Sequence, residues 1–402
     1  MRRVVITGIG PVHAVGTGVD VFFARLDEMH RVARPMTERP LRGWVPKTDW
    51  YVPAPALDKG DEAWLGERLG PWAPETGRLA AVAARRALDD AGMTDPPSDA
   101  CVMLGVGNSD LEDTVAVADM IGRGHRANVL RVSRIMPNAG ASCVAIALDL
   151  HGAVQVISTA CASGTDAIGH AFREIAVGAA EVSVCGGADV NHDSSDISMR
   201  YFDSLGVLTR CEDGLARPFS RHRSGFLFAD AGACMLVLEE LSRAEARGAR
   251  IYGEITAYAA NCDAFHVVRL PESNRFQKDI VSRLLERGPV QHISTHGTGT
   301  VANDRMEIAV IGELWPTPGS APSVSATKAL LGHTIGASGA FEAAVVARAL
   351  RDGIMPGTPT DDVDGDIDVI RSTGPLDAES VVSVSFGFGG HNSGLRLERH
   401  GG

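Results

Sequence analysis

What most constrains this chain is that short β-branched runs alternate with Ala- and Leu-rich stretches of helical spacing, and that the series runs through twice. The first series contains Val4 to Thr7, Val102 to Val106, Val154 to Ser158, Val182 to Cys185 and Met235 to Leu238. It also contains "TGRLAAVAARRALDDAG", Thr76 to Gly92, apolar at helical intervals with a Gly just past its end. After Leu241 come Ile251 to Tyr258, His292 to Thr295, Ser323 to Ala326 and Val381 to Ser385, with the helix-like "ASGAFEAAVVARALRDG" between the last two. Apolar strands that alternate with helices belong to a sheet covered on both faces, so a buried α/β architecture is predicted. Two sets of similar order predict an internal duplication, divided into residues 1–240 and 241–402. The Pro-rich "WYVPAPALDKG" and the polar "TPTDDVDGDID" read as linkers.

Composition narrows function by exclusion. With 45% hydrophobic and 22% charged residues in 402, the chain can bury a large core and is not of disordered type. A formal charge of -12 disfavours a nucleic-acid surface, which needs a basic footprint, so no nucleic-acid partner is expected. An acidic partner would need a local patch such as Arg123, Arg126, Arg131 and Arg134, a run that also reads as a solvated face. No apolar run approaches the ~20 residues that span a bilayer, and "MRRVVITGIG" continues without a signal-peptide cleavage pattern. No membrane partner and a cytoplasmic location are expected. Seven cysteines, an odd number without a CxxC pair, suit neither a disulfide framework nor a zinc ribbon. The opening "ITGIGPVHAVG" fails the dinucleotide fingerprint, whose third Gly would fall on His13.

Chemistry concentrates elsewhere. "QVISTACASGTDAIGHAF" sets Cys161 between a strand-like run and a Gly- and Ala-rich helix-like run. Such a junction aims the thiol at the positive end of a helix, where free N–H groups favour thiolate, although a lone cysteine is more commonly a small buried hydrophobe. "STHGTGTVANDRMEI" brings His296 out of a strand end, and "SATKALLGHTIGASGAFEAA" brings Lys328 and His333 into a loop before a helix. "SVSFGFGGHNSG" ends a strand in a Gly-rich hairpin bearing Phe386, Phe388 and Asn392. Singly, each reads as readily as a satisfied loop histidine, a surface lysine or a turn as it does as part of a site. Together, one Cys and two His at strand ends predict a convergent site, because open α/β sheets gather their sites there.

These motifs resemble those of the β-ketoacyl synthase (ketosynthase) family, elongating type II branch, in the thiolase superfamily. "TACASG", "HGTGT", "TKxxxGHTxGASG" and "GFGGHN" follow the family's order, and the likeness runs from "RRVVITGIG" to "GFGGHNSGLRL". The resemblance implies the thiolase fold, an α/β fold of duplicated βαβ halves stacked as five layers, α-β-α-β-α, with the nucleophilic Cys in the first half and both His in the second. It implies an acyltransferase, a 3-oxoacyl-[acyl-carrier-protein] synthase. Its reaction would be decarboxylative Claisen condensation of a carrier-bound acyl chain with malonyl-carrier protein, in type II polyketide or specialised fatty-acid synthesis, or alternatively in housekeeping elongation.

Residue by residue, the resemblance implies that Cys161 accepts the acyl chain and that His296 and His333 hydrogen-bond the malonyl carbonyl as it becomes an enolate. The N–H groups of Cys161 and Phe388 would form the oxyanion hole. Phe388, with Phe386 beside it, would be a gate given freedom by Gly387 and Gly389. Lys328 and Glu342 would organise the histidines, Asp304, Glu307 and Asn392 would support, and Asn108 and Phe202 would line the acyl tunnel. No cofactor and no metal are implied. The partners would be acyl- and malonyl-loaded acyl carrier protein and a second chain, either a copy of this one or a ketosynthase-like chain-length factor, with Met136 to Leu150 near the twofold axis.

Departures from the family pattern are also visible. Where relatives carry "RPFDxxRDGFVxGEGA" this chain has "RPFSRHRSGFLFADAGA": Ser220 and Ser224 replace acidic residues, and Ala229 and Asp230 replace Gly and Glu. These touch loop packing and no catalytic motif, and "GPVHAVG" lacks the usual Thr-Pro. Asn108, in "GVGNSD", stands where fatty-acid elongases resemble one another in an apolar residue, which predicts a tunnel reshaped for a chain that is not plainly saturated. Rival readings are less apt. A thiolase would use a second Cys where His391 and Asn392 stand, a non-catalytic partner would lack the nucleophile, and a cysteine protease would orient one His with Asn or Asp.

Overall fold

The computed structural model describes residues 1–41, 43–108, 110–126 and 129–401. Ten strands carry the frame: β1 (Val4–His13), β2 (Cys101–Gly105), β3 (Val154–Ile157), β4 (Val182–Val190), β5 (Ala231–Glu240), β6 (Gly253–Cys262), β7 (His292–Ser294), β8 (Ser323–Ser325), β9 (Ser380–Gly387) and β10 (His391–Glu398). The first five lie side by side as β3-β2-β4-β5-β1 and the second five as β8-β7-β9-β10-β6. Each set thus has the spatial order third, second, fourth, fifth, first. In each, the third, second and fourth strands are parallel, while the fifth runs antiparallel to both the fourth and the first. The duplication that is faint in the residues is therefore plain in the topology. Three antiparallel pairs, Val4 with Ile255, Val5 with Glu254 and Ile6 with Gly253, join β1 to β6.

Helices fill the layers around the strands. Outside the first set lie α1 (Glu75–Asp90) and α2 (Ala139–Leu148), and outside the second lie α5 (Arg275–Leu285) and α6 (Val301–Leu314). Between them run α3 (Ser163–Ala176) and α7 (Ser338–Asp352), each packed on strands of both sets. This is the five-layered α-β-α-β-α order of the thiolase fold. The middle helices have almost no solvent face: α7 is buried from Ser338 to Leu350, which is why it is built so largely of Ala and Val. A further helix, α4 (Ile197–Leu205), follows β4. No helix among the described residues is long and apolar enough to cross a membrane.

Glycine brings the middle helices together. A Cβ on Gly164 would lie 2.9 Å from the Gly336 carbonyl oxygen, and one on Gly339 would lie 2.8 Å from the Thr165 backbone nitrogen. The first turns of α3 and α7 therefore meet backbone to backbone, which no other residue permits.

Two expectations need correction. "WYVPAPALDKG" is no linker at its start: Trp50–Val52 is a strand that pairs with Arg34–Pro35 and with Phe228–Ala229, and Tyr51 and Val52 are buried. "TPTDDVDGDID" is docked, because Asp361 and Asp364 receive hydrogen bonds from Arg217 and Arg223. Of the two readings of the arginine run, the solvated face fits the structure: Arg123 pairs with Asp119 at 3.0 Å and Arg134 with Asp113 at 2.6 Å.

Gly339→Ala is expected to force Thr165 and α3 aside and to destabilise the fold by roughly 1–3 kcal/mol, the usual range for overpacking. A denaturant midpoint equal to that of the unaltered protein would show that the two backbones are not in contact.

Candidate active site

The turn that carries Cys161 is shaped by the residues around it. β3 ends at Ile157, Ala160 takes a left-handed φ of 52°, and a single 3-10 turn, Ala160–Ala162, passes into α3. Ser163 ties the bend: its Oγ accepts from the Thr159 N–H at 2.9 Å and donates to the Ala160 carbonyl at 2.7 Å. Gly105 at the end of β2 lets the bend seat, since a Cβ there would lie 2.4 Å from the Ser163 carbonyl carbon. The strand-turn-helix junction read from "STACASG" is thus present, with its thiol buried at the start of α3.

Two imidazoles converge on that sulfur. His333 Nε2 lies 3.2 Å from Cys161 Sγ. Its Nδ1 accepts from the Ile335 N–H at 3.3 Å and lies 2.9 Å from Ser338 Oγ, so Nε2 is the nitrogen that carries hydrogen. His296 is fixed in the same tautomer by a different device. Lys328 Nζ, which can only donate, lies 3.3 Å from His296 Nδ1 and donates to the His296 carbonyl at 2.8 Å. The buried ammonium is in turn ion-paired with Glu342. The two rings sit edge to face with centroids 5.5 Å apart.

Burial, and then the Lys328 charge, hold both imidazoles well below the usual histidine range, so both are neutral. The sulfur and the ring nitrogens lie within 4.8 Å of one another, close enough for a metal ion. The set is nevertheless made for an anion: each Nε2 presents hydrogen instead of a lone pair, and an ammonium stands behind them. Burial pushes the Cys161 thiol up to about 11, against the Lys328 charge and the N–H groups of Phe388 and Cys161. The pull of the helix start toward thiolate is thus outweighed in the closed site by loss of water.

Behind the His296 loop, Glu307 accepts from the N–H groups of His296 at 2.8 Å and Gly297 at 2.7 Å. Asp304 accepts from the Phe219 N–H at 2.7 Å, and Asn303 Nδ2 donates to both carboxylates. Asn392 lies apart from the sulfur, donating to Asp263 at 2.7 Å and accepting from Gln277 at 3.2 Å.

Two cavities meet at the cysteine. One of about 650 Å³ is lined by Cys161, His296, His333, Thr298 and Phe386, with Arg269 among its other lining residues. One of about 220 Å³ is lined by Asn108, Leu111, Ile335 and Tyr201. Cys161, Phe202 and Phe388 line both. The flanking glycines of Phe388 differ from expectation. Gly389 has a left-handed φ of 83°, but Gly387 has φ -107° and is needed for close approach, since a Cβ there would lie 2.7 Å from the Thr159 carbonyl oxygen.

The departing segment has a structural explanation. Ser220 is fully buried and donates to Asp361 at 2.7 Å, where an acidic side chain would set carboxylate against carboxylate. Ser224 Oγ accepts from the Arg210 N–H at 2.9 Å. Asp230 is ion-paired with the buried Arg39, which also holds Asp196 at 2.9 Å. The segment is closer to the chemistry than its sequence suggests, because the His333 N–H donates to the Leu227 carbonyl at 2.7 Å.

Two residues escaped sequence reasoning. Asp189, at the end of β4, accepts from the N–H groups of Gly107 at 3.1 Å, Asn108 at 2.9 Å and Gly336 at 2.8 Å, clamping the Asn108 loop to the His333 loop. Ser338, the partner of His333 Nδ1, lies inside the "GASG" stretch that follows His333.

Comparison with known proteins gives a consistent set of likenesses. The family description "Beta-ketoacyl synthase, N-terminal domain" matches residues 74–244, and "Beta-ketoacyl synthase, C-terminal domain" matches residues 252–360. The 3-oxoacyl-[acyl-carrier-protein] synthase 2 of Rhizobium meliloti (strain 1021) is 35% identical over 425 residues, covering 100% of both chains. A Streptomyces cyaneus chain, provisionally named polyketide beta-ketoacyl synthase 1, is 33% identical over 419 residues and covers 98% of each chain. Among solved structures, "The ishigamide ketosynthase/chain length factor" superimposes with a TM-score of 0.90 at 29% identity, covering 100% of both chains.

Burial raises four carboxyls around the site: Asp304 to about 6, Asp189 and Glu342 to about 7, and Glu307 to about 8. Each therefore binds its proton more tightly folded than unfolded. The stability this contributes is complete below the unfolded carboxyl range and is lost as pH rises through about 6 to 8. Denaturant midpoints are expected to decline between pH 5.5 and 8.5, less steeply in Glu307→Gln. A midpoint that climbs across that window would contradict the assignment.

Proposed function

The chain belongs to the β-ketoacyl synthase family, and from that premise we propose how its residues share out the reaction. It is a β-ketoacyl-[acyl-carrier-protein] synthase of the type II polyketide or fatty-acid kind, which extends a carrier-bound acyl chain with malonyl-carrier protein. In our reading, Cys161 sulfur attacks the incoming thioester, the carbon–sulfur bond to the carrier breaks, and the carrier thiol leaves with the proton. The carbonyl oxygen that gains charge is held by the N–H groups of Cys161 and Phe388, both of which point at the sulfur. Malonyl-carrier protein then enters the larger cavity, and its carbon–carboxylate bond breaks to release carbon dioxide. The electrons move onto the thioester oxygen as an enolate between the Nε2–H groups of His296 and His333. The enolate carbon attacks the Cys161 thioester, the new carbon–carbon bond forms, the acyl carbon–sulfur bond breaks, and the sulfur leaves as thiolate and takes a proton from solvent to return to the thiol.

The observation that carries this reading is that two neutral imidazoles, each with hydrogen on Nε2, gather beside one sulfur. A neutral imidazole stabilises an enolate without surrendering a proton to its carbon, as an imidazolium would. Lys328 is a positioning residue, since it holds His296 in this tautomer and raises the cost of a second charge there. Glu342 balances it, while Asp304, Glu307 and Asn392 fix the loops.

The reading extends to partners and place. Acyl carrier protein delivers both substrates, and a second ketosynthase-like chain completes the assembly. The outer strand β3 with exposed Val154, and Ile146 of α2 at 63% exposure, offer apolar surface for that second chain. Residues 1–240 and 241–402 are taken as the two halves of the duplication. Seven free cysteines suit a reducing cytoplasm.

Incubation with an acyl-loaded carrier is expected to leave an acyl adduct on Cys161 by intact mass, absent in Cys161→Ala. His333→Ala should release carbon dioxide from malonyl-carrier protein about 10²-fold or more slowly, the usual loss of one oxyanion donor, while acyl loading falls far less. A variant that loads poorly yet still decarboxylates would reverse the roles given to Cys161 and His333.

A further inference from the structure

The smaller cavity is not the uniform apolar tube that a saturated chain would want. Asn108, in the loop after β2, lies in its wall, and the direction of its amide is dictated from behind. Asn191 is fully buried, and its Nδ2 donates to the Ala229 carbonyl at 3.1 Å, which leaves its Oδ1 free to accept. Asn108 must meet that oxygen with Nδ2, at 2.7 Å, and the same Nδ2 reaches Ser198 Oγ at 3.3 Å. Both amide hydrogens are therefore committed, and Asn108 Oδ1 has no partner among the described residues. Ser198 Oγ, having accepted from Asn108, keeps its own hydrogen to donate. One acceptor and one donor thus stand side by side in a wall built largely of apolar side chains, Leu111, Ile197, Phe202 and Ile335 among them, with Tyr201 also lining it.

We propose that Asn108 and Ser198 form a polar subsite that selects acyl chains bearing an oxygen substituent over unsubstituted ones. The inference rests on the ketosynthase reading of Cys161. A hydroxyl satisfies both groups, donating to Asn108 Oδ1 and accepting from Ser198; a keto oxygen satisfies Ser198 alone; a methylene satisfies neither and strips water from both. The ranking is therefore hydroxyl, then keto, then saturated. Asn191 is the positioning residue. Its anchor is the carbonyl of Ala229, so one of the departures from the family pattern sits directly behind the other.

The experiment is acyl transfer onto Cys161 from carrier protein loaded with octanoyl, or with octanoyl bearing a hydroxyl or keto group at C3, C5 or C7, read by intact mass as kcat/KM. The best hydroxy chain is expected to exceed octanoyl by about 10-fold or more, with the ratio collapsing toward one in Asn108→Leu. Ser198→Ala should shrink the same ratio, and it serves if Asn108→Leu does not fold. Octanoyl transferring as fast as every oxygenated chain, or a ratio indifferent to both substitutions, overturns the subsite while leaving the ketosynthase reading intact. Absence of any acyl adduct on Cys161 overturns both.

Discussion

Everything at the Cys161–His296–His333 centre depends on how closely α3 and α7 approach. Cys161 belongs to the first strand set and both histidines to the second, so the distance from sulfur to Nε2 is set where those sets touch. Glycine at positions 164, 336 and 339 lets main chain rest on main chain there. Side chains at that seam would act as spacers, and a 1 Å shift is enough to lose a near-attack geometry. Asp189 reinforces the contact from the side, drawing Gly107, Asn108 and Gly336 onto one carboxylate.

Given that contact, electrostatics follow from dryness. One ammonium is buried with one carboxylate, and burial removes the alternative of charging the imidazoles or the thiol cheaply. The result is a site whose thiol and imidazoles rest neutral beside the Lys328–Glu342 pair, and which gains most when negative charge develops in its centre. Stabilisation is thereby reserved for the moment of reaction, which is where differential binding accelerates a step.

Much of this was legible in the sequence. Cys161, His296, His333 and Lys328 stand in small-residue loops directly after strands, and a local pattern of that kind survives without knowledge of the fold. The remainder depends on distant partners. Asp189 takes its N–H donors from residues 82, 81 and 147 positions away, and nothing local marks it. "WYVPAPALDKG" looked like a linker because Pro dominates it, while the edge it pairs with, Phe228–Ala229, lies far along the chain. The thiol's resting state was misjudged for a related reason: the helix start is local, but the loss of water is imposed by both strand sets together.

The repeated strand order has one more consequence. The loop after the second strand carries Asn108 in the first set and His296 in the second, and the loop after the third strand carries Cys161 in the first and the His333 motif in the second. Asn108 and His296, and likewise Cys161 and the His333 motif, therefore occupy pseudo-equivalent places on two matching rims. The two rims thus meet face to face, and Cys161 from one and the histidines from the other share a single centre.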